Sequence, residues 1–207
     1  MSLLTIRQQV YLTLRQRILD GTYSPGTHLN IDALSKELGV SNSPLREAML
    51  LLINDRLAES RPNSGVFVIN ITPKLYSDLT DTINSWIVGA YYLCVRCERQ
   101  EVLITTLEQK YKDLNNIISS GSDQDKVFTV LAYIHGFVEA TDNEILISSF
   151  ESDFDRFCLA YTHNHMGRDF DWTHISEQAA LVISMIKEGD IDSFSKIIWE
   201  WSTPHFF

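Results

Sequence analysis

Asn42, Ser43 and Arg46 are the residues whose types and spacing could most directly do chemistry. They fall in Gly39-Val40-Ser41-Asn42-Ser43-Pro44-Leu45-Arg46-Glu47-Ala48-Met49, which reads as the start of a helix. Arg can fork onto the O6 and N7 of guanine, and Asn can grip adenine, in the major groove of DNA. Ser43 is the expected N-cap, its hydroxyl accepting an orphan backbone N–H. Pro44 then takes the first helical position, where its missing N–H costs nothing. Leu45, Ala48, Met49 and Leu52 recur at helical spacing and form a buried stripe, and the polar residues lie off it. A capped amphipathic helix without any binding role shows the same pattern, so the surrounding elements have to decide.

Other reactive groups carry weaker patterns. Cys94-Val-Arg-Cys97 is a Cys-x-x-Cys pair, but a redox or zinc role needs a helix N-terminus or a second pair. This pair stands late in an expected helix, and packing is the expected reading. His163-Asn-His165 precedes a glycine and reads as surface loop. No Gly-rich phosphate loop and no nucleophile with a placed base is found, so no enzyme is expected.

The neighbouring elements give the first stretch its context. Thr5 to Leu19 reads as a helix with Val10, Leu14 and Ile18 on its apolar face and Arg7, Arg15 and Arg17 exposed. Gly21, Ser24, Pro25 and Gly26 form a loop. Ile31, Leu34 and Leu38 mark a short helix begun by Asn30 or Asp32 and ended by Gly39. Two short helices joined by a tight Gly-containing turn describe a helix-turn-helix. Leu57–Ser60 and Val66–Ile69 are short β-type runs around the turn Arg61-Pro62-Asn63-Ser64-Gly65. The whole reads as a winged helix whose wing tip, Ser64 and Gly65, carries little side chain.

From Ile71 onward the chain reads as helix after helix, over Pro73–Arg99, Val102–Ser119, Gln124–Ala140, Glu144–Thr162, Trp172–Lys187 and Ile191–Trp201. Helices with short loops make an antiparallel bundle. The expected fold is therefore mostly α: a winged helix-turn-helix with a small β-hairpin over residues 1–70, then an all-α bundle of about six helices over 71–207. Net charge supports the division. The chain carries −10 overall, yet residues 1–70 hold seven Lys/Arg against six Asp/Glu, and residues 71–207 hold ten against twenty-one. Such asymmetry points to two jobs on one chain. No apolar run reaches membrane-spanning length, no secretory signal is expected, and an odd three cysteines argue against a disulfide framework. A cytoplasmic protein with reduced thiols is expected.

GTYSPGTHLNIDALSKELGVSNSPLREAM together with LAESRPNSGVFV resembles the DNA-binding domain of GntR-type bacterial transcriptional regulators over most of residues 8–69. The resemblance places Ser41, Asn42, Ser43 and Arg46 at DNA-contacting positions and puts Gly65 at the wing tip that enters the minor groove, beside Ser64. Three departures stand out. Asn42 occupies a position where Arg is frequent, Leu50 and Leu51 stand where basic residues are common, and Arg56 holds a helix end where Gly is usual.

The segments Ile134-His135-Gly136-Phe137…Asp142-Asn143-Glu144-Ile145-Leu146 and Ile186-Lys187-Glu188-Gly189-Asp190 resemble the FCD bundle of the FadR-like branch. Many such bundles hold a divalent metal with one Asp and three His. Here only His135 matches. The Asp position is Leu131, and the other His positions are Ala179 and Trp201, with His205 and His174 out of register. No metal and no other cofactor is therefore expected. A metal-free pocket would use His135 and Glu139, four apart on one face, with Trp86, Tyr133, Trp199 or Trp201. A hydrogen-bonded core histidine is the other reading of His135. The resemblance implies a homodimeric, sequence-specific repressor that binds a palindromic double-stranded operator and senses a small molecule such as an organic acid, away from any membrane. The alternatives are a regulator with a degenerate effector pocket, controlled by abundance or a protein partner, and a metal-dependent enzyme.

Overall fold

Thr5 opens helix α1 (Ile6–Leu19) with a reciprocal capping box. Its hydroxyl accepts from the Gln8 N–H at 3.3 Å, and the Gln8 side chain accepts from the Thr5 N–H at 2.9 Å. The computed structural model describes residues 4–168 and 170–200. These are mostly helical, with one two-stranded antiparallel sheet. The chain divides into two compact units, Met1–Thr72 with Cys158–His163, and Pro73–Phe157 with Asn164–Phe207.

In the first unit Asn30 caps α2 (Ile31–Leu38), accepting from the Ala33 N–H at 2.9 Å. Gly39 ends it at φ +64°, a left-handed turn that glycine enters without penalty. Helix α3 runs Asn42–Asn54, so it begins before the expected Ser43 cap. Ser41 is the N-cap and makes no side-chain cap bond. Ser43 lies inside the first turn, and Pro44 is the third helical residue. That position suits proline as well as the first does, because no N–H of the first turn has an intrahelical acceptor. The expected stripe Leu45, Ala48, Met49 and Leu52 is buried, and α3 packs on α1 through it and Val10, Leu14 and Ile18. Of the three α1 arginines expected on the surface, only Arg7 is fully exposed; Arg15 and Arg17 are partly exposed, and Arg17 bonds Tyr23 Oη at 2.6 Å and Glu37.

Strands β1 (Ala58–Arg61) and β2 (Gly65–Val68) form the wing, with Ala58 opposite Val68 and Arg61 opposite Gly65. The loop before α2 adds a short third edge. His28 bridges Phe67, and Leu29 N–H donates to Val66 O at 2.8 Å.

The second unit contains α4 (Pro73–Arg96), α5 (Gln100–Ile118), α6 (Asp123–Glu139), α8 (Trp172–Glu188), α9 (Ile191–Glu200) and most of α7 (Glu144–His165). Helix α5 packs on α6 and α8, and α4 packs on α6 and α9. Buried polar groups tie helices together at specific points. Asn84 Nδ2 donates to Ile198 O on α9 at 2.8 Å, a buried bond between α4 and α9. Helix α7 continues through the segment expected as surface loop. His165 ends it and is buried, its ring edge-on to Phe170 with centroids 4.5 Å apart. Among the described residues no helix is long and apolar enough to cross a membrane.

Candidate functional site

The helical period turns Ser41, Asn42, Ser43 and Arg46 away from the core of the first unit, and all four are exposed. Neighbouring charges are already engaged: Glu47 meets Arg7 at 3.6 Å, and Asp32 Oδ1 accepts from Asn42 Nδ2 at 3.3 Å. The Asp32 bond orients the Asn42 amide. Arg46 has neither a hydrogen bond nor an ion pair among the described residues, so its guanidinium is free for an external acceptor.

The wing is held beside it by a stack of rings and charge. His28 lies on Phe67, with centroids 4.6 Å apart and planes 24° off parallel, and Arg61 Cζ sits 4.2 Å from the centre of the same ring. Glu59 also holds the guanidinium, its Oε1 2.9 Å from Arg61 Nε and 2.7 Å from Nη2. Gly65 is at φ +98°, a backbone conformation that favours glycine, and a Cβ there would stand 2.8 Å from His28 Nε2 and displace the His28 ring. Ser64 turns its hydroxyl onto Pro62 O at 3.3 Å. The tip is thus small and tightly turned.

These parts meet in one groove of about 480 Å³, lined by Asp32, Arg46, Arg61, Asn63, Gly65 and His28 among others. The structure therefore brings the expected Arg46 and Gly65 to the same groove. It adds His28 and Arg61, which the sequence reading did not single out. Arg61 was within reach of that reading, since any hairpin across Pro62–Ser64 puts it opposite Gly65. His28 was not, because it reaches the wing only through a tertiary bridge from a loop.

The candidates in the second unit are not gathered in the same way. His135 is half-buried on α6. Its Nδ1 is 3.7 Å from Glu139 Oε2 and its Nε2 is 3.8 Å from Glu151 Oε1, with Phe150 and Phe154 against the ring. Lys110 Nζ lies 3.0 Å from Glu139 Oε2, and this contact is the main reason the Glu139 carboxyl is held below its usual range. Tyr133 departs from the expected shared pocket. It lies about 200° from His135 around α6, is buried, and donates from its hydroxyl to Ala179 O on α8 at 3.0 Å. Burial pushes its phenol far up. Trp86 is partly exposed on α4, and Trp199 is exposed on α9. Trp201 and His205 lie outside the described residues. Leu131 and Ala179, where the resemblance would need an Asp and a His, are buried and apolar. Among the described residues no group of three His, Cys, Asp or Glu is arranged to hold a metal. A cavity of about 560 Å³ opens elsewhere in this unit, lined by Ile118, Lys126, Phe170, Asp171, Trp172 and Thr173, and none of the expected effector residues is among them. Cys94 is buried, which pushes its thiol up to about 11, while Cys97 is exposed.

Comparison with known proteins bears on both units. A model described as "Bacterial regulatory proteins, gntR family" matches residues 6–68. An HTH-type transcriptional regulator of Bacillus subtilis (strain 168), YdhC, itself uncharacterised, is 31% identical over 165 residues, covering 76% of this chain and 72% of its own. The gluconate operon transcriptional repressor of Bacillus licheniformis is 27% identical over 91% of this chain and 78% of its own. A crystal structure described as a GntR regulator from Rhodococcus sp. RHA1 superposes with a TM-score of 0.78 at 16% identity, over 95% of this chain and 93% of that one, which speaks for the fold.

Proposed function

The chain belongs to the gntR family of bacterial regulatory proteins and is a DNA-binding transcriptional regulator, and from that premise we propose how its parts divide the work. The groove shared by Arg46 and the wing tip is the observation that carries the reading. The head of α3 enters the major groove, with Arg46 forked on a base and Ser41, Asn42 and Ser43 on base edges or phosphates. Ser64 and Gly65 bring a wing of small side chains against the adjacent minor groove. Two copies of the chain form a homodimer on a palindromic operator, because a two-fold protein reads a two-fold site. The second unit is the FCD-type bundle of the FadR-like branch. It receives a small-molecule effector, an organic acid or related metabolite, at the polar cluster of His135 and Glu139. Effector binding acts by favouring one arrangement of the two DNA-reading heads. Repression is the mode that the gluconate operon relative supports.

Selection from a randomised duplex pool at moderate ionic strength tests the DNA reading. Enrichment of one palindrome supports it, and no preference over random competitor overturns it. A thermal-shift screen with organic and sugar acids tests the effector reading. Buried apolar Leu131 and Ala179 favour a second possibility, a regulator whose effector site has degenerated. A silent screen alongside intact operator binding would select it. One tightly held metal per chain, found by elemental analysis, would count against a metal-free bundle.

A further inference from the structure

The geometry points to Leu50 as a specificity residue that reads the 5-methyl group of a thymine, in an operator half-site where Arg46 reads a guanine. The inference rests on the proposed entry of α3 into the major groove. Helix α3 buries Leu45, Ala48, Met49 and Leu52, and that stripe accounts for its packing. Leu50 is not part of it and is 65% exposed. Single exposed leucines are common on proteins and need no explanation by themselves. What distinguishes this one is its place. Asn42, Arg46 and Leu50 are spaced by four residues, so each is offset by only about 40° from the last and all three stand on one solvent face. Among the exposed residues of α3, Leu50 is the only apolar one.

A large apolar side chain on a face that enters the major groove can meet only one apolar group on the base edges, the methyl of thymine. Distance fixes where that thymine should be. Four helical residues rise about 6 Å, and stacked bases are about 3.4 Å apart. Leu50 therefore reaches a pair within about two steps of the guanine under Arg46. Cytosine in that place would offer an amino donor to a side chain with no acceptor, and 5-methylcytosine would give the methyl back.

The test uses the full chain, the operator obtained by selection, and fluorescence anisotropy at fixed moderate salt. Each thymine is replaced in turn by deoxyuridine, which removes the methyl and nothing else. For one thymine per half-site the native chain should lose about fourfold in affinity, or about fifteenfold when both half-sites are changed. Leu50→Ala should bind the native operator with a similar loss and show no further loss with deoxyuridine. Leu50→Gln should be equally blind to the methyl. Leu50 is exposed, so these variants should keep the thermal midpoint of the native chain. If every deoxyuridine substitution is silent while Arg46→Ala still abolishes specific binding, the role of Leu50 is refuted and the placement of α3 stands. If Leu50→Ala retains the full deoxyuridine penalty, the methyl is read by another residue. If selection yields no preferred duplex, the reading of α3 itself fails.

Discussion

Replacing Arg46 with alanine separates binding from folding. The side chain is exposed and has no intramolecular partner among the described residues, so its removal leaves no buried group unpaired. Stability should stay within about 0.5 kcal/mol of the native value. On DNA the loss should be large. A bidentate arginine–guanine contact is worth about 1–3 kcal/mol of discrimination. Over two half-sites that is about 2–6 kcal/mol, or roughly thirtyfold to twenty-five-thousandfold in Kd. Arg46→Lys should fall between, since it keeps the charge but loses the planar fork. Anisotropy titrations on the selected operator and on a scrambled duplex, at two or more salt concentrations, read all of this. The alanine variant should approach the scrambled-duplex affinity, with a shallower salt dependence. Native affinity for the operator would refute the assignment of Arg46. A lowered thermal midpoint would show instead that the residue supports the fold.

Three further outcomes follow from local geometry. Gly65→Ala must hold a side chain at φ +98° and press on His28 Nε2, at a cost of about 1–3 kcal/mol; denaturation should show that loss, and His28→Ala in the same chain should restore only the part due to the clash. Arg56 ends α3 at φ +58° and is exposed, so Arg56→Gly should raise stability by about 0.5–1 kcal/mol, the left-handed penalty less the extra freedom that glycine gains when unfolded; an unchanged or lower midpoint in a melt would contradict it. A thiol reagent at neutral pH should label Cys97 promptly and Cys94 only on unfolding, because a thiol raised to about 11 yields almost no thiolate there; mass spectrometry of the labelled native chain decides.

The sequence made some elements legible because local chemistry alone fixes them. Thr5 with Gln8, Asn30 with Ala33, and Gly39 at its left-handed turn need no distant partner; α1 opens at Thr5, α2 closes at Gly39, and of the two starts expected for α2 the structure takes Asn30 and leaves Asp32 inside the first turn. The start of α3 was blurred because Ser41, Asn42 and Ser43 are all good caps and proline fits anywhere in a first turn. Strand β1 starts at Ala58 rather than Leu57 because the Leu57 N–H turns back to Leu52 O at 2.9 Å. The separation of Tyr133 from His135 was open to simple arithmetic, since two residues on a helix face apart. The place of His28 was not, because a loop reaches the wing by tertiary pairing that no local pattern encodes. His165 misled for a related reason: Gly167 does mark the break, but the ring before it is buried, with Phe170 and Tyr76 against it.

The charges of the first unit explain why recognition has to depend on a few residues. A surface that attracts DNA by its field needs unpaired Lys and Arg on one side. Here Arg7 is matched by Glu47, Arg17 by Glu37 and Arg61 by Glu59, while Lys36, Arg46 and Arg56 are exposed without an ion pair among the described residues. Leu50 stands where a further cation would strengthen the field. What remains on the exposed face of α3 is a free arginine, small polar side chains and a leucine, beside a wing tip kept bare by Gly65. In the proposed docking, such a face would gain little from phosphate attraction and more from matching particular base edges, so it would bind well only where several of those matches occur together. The proposed second copy of the chain would double them without adding any charge to the face of α3 in either copy. In the proposed dimer, the pairing of two weakly basic heads is therefore what would let an acidic protein hold DNA selectively.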